Sequence, residues 1–581
     1  MRLGSVSGFG LHFLFYVHIQ GRSNLKVVII GGVAGGATAA ARIRRLDEKA
    51  QIVILERSGF ISYANCGLPY YVGGAIEDPG ELTVQTPEGF RIRYNIDARV
   101  LSEAVEIRPA EKTVIVKDLR SGKTYEESYD KLILSPGAKP VIPKGVDGNA
   151  PGVFTVRNVE DTLSIRKYIE DHAPQKAVIA GGGFIGLEMA ENLIRKGVDV
   201  TILQGAKHMF MPLDEDMAML IHAELFRRGI HMRTYAMVEQ VEASENGLVT
   251  TLAGGESIAS DLVILAIGVL PETHLAADAG LKLGAKNSIV VNDHMQTSDP
   301  DIYAVGDAVT IRNHLTQKDV LMALAGPANK QARIAADHIC GKTDHAYKGT
   351  LGSSILRIFD LTVATTGINE KTAQALGYTT DKIILAAASH ATYFPGASLM
   401  TMKVLADHAS GRLLGAQIIG HDGVDKRIDV LATALFAGLS AADLKDLDLA
   451  YAPPYSSAKD PVNMAGFMLE NLQEGTLKQF FYEDIPGLME REEGAATLLD
   501  VRMPMEYEHG HVSGFVNLPL DELRERLTEI PKDRPVYVMC QSGMRSYLAY
   551  RILVANGYEA YNFAGGYRYY QLVEYGKKTT A

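Results

Sequence analysis

The sequence predicts an α/β fold of several domains, and three observations predict it. Two glycine-rich turns, each set between an apolar strand and a helix, stand about 150 residues apart at Gly31 and Gly181. A short apolar strand ends in Gly306-Asp307. A fresh alternation of strand and helix then surrounds Cys540 near the C-terminus. At 581 residues the chain exceeds what one hydrophobic core organises, so several domains are required.

Composition narrows the class. Hydrophobic residues make up 47% and charged residues 22%, an ordinary globular balance. A net charge of −11 argues against nucleic acid as a partner. No run reaches the roughly 18 apolar residues of a membrane span. Only Cys66, Cys340 and Cys540 occur, too few for a disulfide scaffold and in keeping with a reducing cytoplasm. Residues 1–24 precede the first strand and are expected to be a disordered extension, or the product of a start site placed too early.

The first unit begins with the apolar run Leu25–Ile30. The turn Gly31-Gly32-Val33-Ala34-Gly35-Gly36 follows, then a helix over about 37–46 and a strand, Gln51–Leu55, that ends at Glu56. Glycines let a pyrophosphate approach bare N–H groups at a helix N-terminus, and the terminal acid suits ribose hydroxyls. Val33 stands where a middle glycine is usual. The second unit repeats the order: strand 177–180, turn Gly181-Gly182-Gly183-Phe184-Ile185-Gly186, a helix through Glu188 and Glu191, and strand 198–203. This turn satisfies G-x-G-x-x-G. In the third segment, the Asp307 carboxylate is placed to accept hydrogen bonds from sugar-like hydroxyls, or simply to shape a turn.

Together these segments resemble the pyridine nucleotide–disulfide oxidoreductases over about residues 25–470. The resemblance implies two Rossmann-like domains. FAD would lie on Gly31, Gly36, Glu56, Gly306 and Asp307, and NADH or NADPH on Gly181, Gly183, Gly186 and Glu188. It implies an FAD domain in two parts, 25–145 and 276–345, an inserted NAD(P)H domain, 146–275, and an α+β dimerisation domain, 346–470, making a homodimer. Gln204 ends the strand where an acid would favour NADH. Lys207 and His208 follow as residues able to tolerate a 2′-phosphate, so the choice of nucleotide stays open.

Between the units lies Ser62-Tyr63-Ala64-Asn65-Cys66-Gly67-Leu68-Pro69. Pro69 suits the first turn of a helix, so Cys66 is expected near a helix N-terminus that favours its thiolate. Dithiol relatives carry C-x-x-x-x-C here, whereas this chain has one cysteine. Its oxidised state must therefore be a mixed disulfide, a persulfide or a sulfenic acid. The segment resembles the single-cysteine branch of coenzyme A disulfide reductases, persulfide reductases and NADH oxidases or peroxidases. That resemblance implies contacts to coenzyme A from Thr38, Arg42, Arg45, Ser62, Asn65 and Lys459, with a solvated helix face as the other reading of the arginines. It also implies that Tyr393 and Tyr451 reach the thiol across a dimer, where edge packing is the plainer reading.

After a linker at 471–481, residues 482–581 resemble a single rhodanese domain. Its signature is the loop Cys540-Gln541-Ser542-Gly543-Met544-Arg545 between a strand and a helix. Inward N–H groups and Arg545 would stabilise a thiolate or persulfide on Cys540. His509 and His511 lack companions for a metal site and read as structural; no metal is expected. Cys340, at a helix end, reads as packing. The expected activity is reduction of coenzyme A persulfide, polysulfide or disulfide by NAD(P)H through FAD and Cys66. In that reading Cys540 carries sulfane sulfur on a mobile tether. Two alternatives are an NADH oxidase or peroxidase cycling Cys66 through sulfenic acid, and a sulfur-trafficking or redox-sensing protein.

Overall fold

The computed structural model describes residues 25–492 and 494–579; the expectation for residues 1–24 lies outside them. Strand Lys26–Ile30 is buried between parallel neighbours Gln51–Leu55 and Lys131–Leu134. Asp97–Arg99 and Ile302–Ala304 complete a five-stranded parallel sheet. Buried on both faces, these strands read as unbroken apolar runs. Strand Ile302–Ala304 returns after the second unit has been inserted, which brings Gly306-Asp307 back beside the first turn.

The inserted unit repeats the plan. Strand Lys176–Ala180 lies between Asp199–Gln204 and Leu262–Leu265 in a second parallel sheet, bounded by Val153–Thr155 and His231–Thr234. The two crossings between units, Ala138–Pro140 and Val269–Pro271, pair with each other antiparallel.

Residues 354–473 form an antiparallel sheet of five strands, in the order Ser354–Ile358, Leu361–Gly367, Leu413–Gly420, Leu399–Asp407, Thr380–Ala388. Helices Val424–Ala437 and Pro461–Gln473 pack on it and share its apolar core. The C-terminal unit has its own parallel sheet, with Val536–Met539 between Thr497–Asp500 and Ala560–Phe563.

The tether expected at 471–481 is corrected by the structure. Helix Pro461–Gln473 runs into it, and Gln479–Phe480 joins the C-terminal sheet. The C-terminal unit is docked on its own chain. Helix Gly566–Lys578 lies so close to helix Glu215–Arg227 that a Cβ on Gly576 would sit 2.1 Å from the Met219 carbonyl oxygen. Phe226 meets Tyr575 edge to face, with ring centroids 5.8 Å apart.

A charged node ties three units together. Lys403, 1% exposed, donates to Asp216 at 2.9 Å and pairs with Asp214 at 3.1 Å and with Glu370. From the C-terminal unit, the Tyr569 hydroxyl donates to Asp216 at 2.6 Å, and Glu483 receives Lys382 at 2.5 Å. Asp214, Asp216 and Glu370 gather closely enough to hold a cation, and the Lys403 ammonium fills that place.

Candidate active site

The two glycine turns have the same construction. A Cβ on Gly36 would lie 1.8 Å from the Gly31 carbonyl oxygen, and one on Gly186 would lie 1.9 Å from that of Gly181. Gly31 and Gly181 hold φ of +92° and +109°, a region that favours glycine. These four glycines therefore make the turns themselves. Gly183 differs: a Cβ there meets nothing within 4 Å, so the space in front of it is open. Val33, the matching residue of the first turn, likewise has a negative φ, −101° against −89° for Gly183, so a side chain is tolerated there.

Glu56 is buried, and its carboxylate accepts the N–H groups of Gly32 (2.8 Å) and Ser58 (2.9 Å). Burial nonetheless pushes its pKa up. Gln204 occupies the matching strand end in the second unit, with its amide oxygen 3.4 Å from the Gly182 N–H. His208 is corrected: it is buried, its Nδ1 2.8 Å from the Met209 carbonyl oxygen, so it is closed to a phosphate. Lys207 is paired with Glu215 at 2.6 Å.

Gly306 (φ +84°) opens a tight turn, its N–H held by Gln331 at 2.7 Å. A Cβ there would be 3.8 Å from the Ser135 hydroxyl, the same hydroxyl that a Cβ on Gly35 would meet at 2.6 Å. The first turn and the Gly306 turn thus converge. Asp307 follows, pushed up by burial, and among the described residues its carboxylate has no hydrogen-bond partner. Buried acceptors without donors are costly. Asp307 therefore fits a ligand that brings hydroxyl donors into this cleft, beside the already satisfied Glu56, and the open space at Gly183 fits a pyrophosphate. The residues present suit two dinucleotides.

Cys66 is exposed, in the short turn Asn65–Gly67 ahead of helix Leu68–Gly73, with Pro69 in the first turn as expected. The expected thiolate is not favoured by the chain's own groups. Desolvation beneath the sulfur and the carboxylates of Glu188 and Asp307 push the thiol up, against the weak field of a six-residue helix. Glu188 is itself raised to about 7 by burial, while the Tyr70 hydroxyl 3.4 Å away and Glu191 oppose one another. A cavity of about 440 Å³ opens beside Tyr70 and Glu188, walled by Ile355, Leu356 and Arg357 of the antiparallel domain. Cys66 thus shares carboxylate neighbours with both nucleotide units.

The residues implied for coenzyme A scatter in accessibility. Thr38 donates to Asn329 at 2.7 Å. Arg42 pairs with buried Asp337 at 2.6 Å, which overturns the reading of a solvated helix face for this residue. Arg45, Asn65 and Lys459 are exposed. Ser62 holds φ +50°, a strained conformation for a non-glycine residue, with its N–H on the Gly32 carbonyl at 2.8 Å. Tyr393 and Tyr451, 74% and 46% exposed, share a hydroxyl–hydroxyl hydrogen bond of 2.8 Å. Among the described residues the hydroxyl–hydroxyl bond is the contact recorded between the two side chains.

In the C-terminal unit Cys540 is fully buried. Its sulfur accepts the Gly543 N–H at 3.1 Å and the Ser546 hydroxyl at 3.2 Å. Ser546, in the first turn of helix Met544–Ala555, was not singled out by the sequence reading, because its contact with the sulfur depends on how the loop folds back. Arg545 forks onto Glu506 at 2.6 and 2.7 Å and holds that carboxyl down at about 2. Arg502, bound to Asp500 at 2.6 Å, stacks over Tyr567 and reaches Gln541 at 3.3 Å, bracing the loop. The rings of His511 and Tyr507 stack 3.9 Å apart, and His509 Nδ1 lies 2.7 Å from a backbone carbonyl oxygen, both structural arrangements. Burial pushes Cys340 up to about 11.

Residues 25–332 match the pyridine nucleotide-disulphide oxidoreductase family, 354–461 its dimerisation domain, and 487–572 the rhodanese-like domain. Coenzyme A disulfide reductase of Staphylococcus epidermidis is 36% identical over 442 residues, which cover 76% of this chain and 99% of that one. The structure of reduced Bacillus anthracis CoADR-RHD superposes with a TM-score of 0.91 at 47% identity, covering 94% of this chain and 98% of the other. An NAD-dependent persulfide reductase from A. fulgidus superposes at 0.88 with 36% identity, covering 94% and 100%. Both structural matches extend across most of the chain, beyond the reductase portion alone. The chain belongs to the pyridine nucleotide-disulphide oxidoreductase family and carries a rhodanese-like domain at its C-terminus.

Proposed function

We propose that this protein is a homodimeric, FAD-dependent NAD(P)H:coenzyme A persulfide, polysulfide or disulfide reductase of the cytoplasm, with Cys66 as its redox thiol. The observation that carries the reading is the setting of Cys66. One exposed thiol, with no second cysteine beside it, neighbours carboxylates from both nucleotide-binding units. A lone thiol there passes electrons through a mixed disulfide rather than an internal one. The similarity to a coenzyme A disulfide reductase and to a persulfide reductase supports the substrate class.

FAD, when bound, would relay an electron pair from the nicotinamide to sulfur. Gly31, Gly36, Glu56, Gly306 and Asp307 would hold it, and Gly181, Gly183, Gly186 and Glu188 would serve the nicotinamide nucleotide. Cys66 starts protonated and must lose its proton to attack. Glu188, held at about 7, is the neighbouring group whose protonation changes near neutral pH. The Cys66 sulfur attacks the coenzyme A sulfur of the persulfide, a Cys66–S–S–CoA bond forms, and hydrosulfide leaves. Two electrons then cleave that bond, restoring the Cys66 thiolate and releasing coenzyme A thiolate. Tyr393 and Tyr451 of a second copy would donate the proton or hydrogen bond that stabilises the leaving thiolate. Thr38, Arg42, Arg45, Ser62, Asn65 and Lys459 would position coenzyme A.

The buried Cys540 sulfur, with N–H and O–H donors aimed at it, suits an anionic persulfide. That favours sulfane sulfur over a plain disulfide as the physiological cargo. The test is anaerobic oxidation of NADH and of NADPH with coenzyme A persulfide, coenzyme A disulfide and polysulfide, in wild type and Cys540→Ser. Turnover on persulfide or polysulfide with hydrosulfide release supports the proposal. Turnover only with oxygen or peroxide would make the protein an oxidase or peroxidase. Bound FAD that neither nucleotide reduces would make it a sulfur-trafficking or sensing protein.

A further inference from the structure

The tyrosine pair needs something to hold it. Tyr393 and Tyr451 lie 58 residues apart in chain and are largely exposed, so packing does not fix their hydroxyls together. Beneath them is a buried polar node. We propose that Arg427, Asp460 and Ser456 are positioning residues that keep the two tyrosine segments in register for proton delivery to the leaving thiolate. This rests on the role given to the pair above.

Ser456, fully buried, is the hinge of the arrangement. Its carbonyl accepts the Ala391 N–H at 3.0 Å, two residues before Tyr393. Its own N–H and that of Tyr455 donate to the Ala452 carbonyl at 3.1 and 2.9 Å, one residue after Tyr451. One residue therefore connects both segments through backbone bonds. Its hydroxyl donates to Asp460 at 2.6 Å and accepts from Arg427 at 3.1 Å. Arg427, 1% exposed, also pairs with Asp460 at 3.0 Å and donates to the carbonyls of Tyr455 (3.4 Å) and Gly423 (3.2 Å). The other Asp460 oxygen accepts the Val462 N–H at 3.0 Å and so anchors the node to the first turn of helix Pro461–Gln473.

A guanidinium has the planar set of donors to serve a carboxylate, a hydroxyl and two carbonyls at once; a lysine ammonium does not. A buried ion pair contributes little net stability compared with a packed apolar replacement. What the node supplies is geometry. Sliding one segment against the other breaks the 2.8 Å bond between the hydroxyls, and a misplacement of about 1 Å can cost on the order of 100-fold in rate.

The experiment compares Ser456→Ala and Arg427→Lys in two backgrounds, the wild-type holoenzyme and the Tyr393→Phe/Tyr451→Phe variant. Turnover on coenzyme A disulfide is measured beside reduction of the bound flavin by NADH without a sulfur substrate. Ser456→Ala leaves the Arg427–Asp460 pair in place, so it keeps the test open if Arg427→Lys fails to fold. In the wild-type background each substitution is expected to cut kcat by about tenfold or more. Flavin reduction stays unchanged. In the double-phenylalanine background neither has further effect, because the groups it positions are gone. Losses that multiply in both backgrounds, or no loss from Ser456→Ala, would overturn the proposal. Wild-type turnover by the double-phenylalanine variant itself would remove the role of the pair, and the proposal with it.

Discussion

Replacing Lys403 with Met should loosen the packing of the inserted nucleotide unit on the antiparallel domain. The Lys403 ammonium is 1% exposed and faces three carboxylates, Asp214, Asp216 and Glu370. Methionine nearly conserves the volume, so little cavity forms and the change is almost purely one of charge. Three carboxylates are then left with Lys382 as the neighbouring cation, 2.8 Å from Glu370. Breaking a buried pair by removing one partner costs about 3–5 kcal/mol. At about 1.4 kcal/mol per factor of ten, that is roughly 100- to 4000-fold in the equilibrium for opening. The sign with pH follows from linkage. Without Lys403 the carboxylates are raised above their unfolded values, so the folded form is favoured while they stay protonated and loses stability as pH rises through the raised pKa. The defect should be small near about pH 4 and full near about pH 8. Thermal unfolding at both pH values measures it. A loss under about 1 kcal/mol, or one equal at both pH values, would show that the Lys403 ammonium does not compensate the three carboxylates, since breaking a buried pair is strongly destabilising.

Other expectations follow from the site. Glu188→Gln removes a negative charge beside Cys66 only where Glu188 is ionised, above about 7. Alkylation of Cys66 by iodoacetamide should therefore speed up near about pH 8 and stay unchanged near about pH 6; equal effects at both would sink the assignment. Gly186→Ala forces a Cβ to 1.9 Å from a carbonyl oxygen and should lower Tm sharply. Gly183→Ala meets no protein atom within 4 Å, so Tm should hold while the Kd for the nucleotide rises. Glu506 holds Arg545 against the Cys540 loop, and its depressed pKa of about 2 contributes stability above the ordinary carboxylate range that fades as pH falls towards 2. As the pair is about a third exposed, Glu506→Gln should cost no more than about 1 kcal/mol at neutral pH, yet slow persulfide loading of Cys540, read by mass spectrometry.

The parts that sequence made legible are those whose physics is local. Glycines at 31, 36, 181 and 186 are dictated by turns a few residues long, and the strands and helices around them follow within one to three residues. The Cys540 loop is legible for the same reason. What escaped depends on distant partners. Arg42 read either as a coenzyme A contact or as part of a solvated helix face, and its pairing with Asp337, 295 residues away, was not visible in the sequence. A proline after Cys66 signals a helix and a stabilised thiolate, but burial, Glu188 from the inserted unit and Asp307 from the distant second part of its own unit push the thiol the other way. His208 follows a strand end that looked open, and the fold buries it. The tether at 471–481 had the composition of a linker. It is held by helix packing and by Tyr569 and Glu483, whose partners lie in other domains.

The proposed role of Cys66 is to carry the electrons to sulfur. Its most direct test is anaerobic single turnover of Cys66→Ser with coenzyme A persulfide. NADH or NADPH should still reduce the bound flavin, and no hydrosulfide or coenzyme A should be released. Hydrosulfide released at the wild-type rate would contradict it.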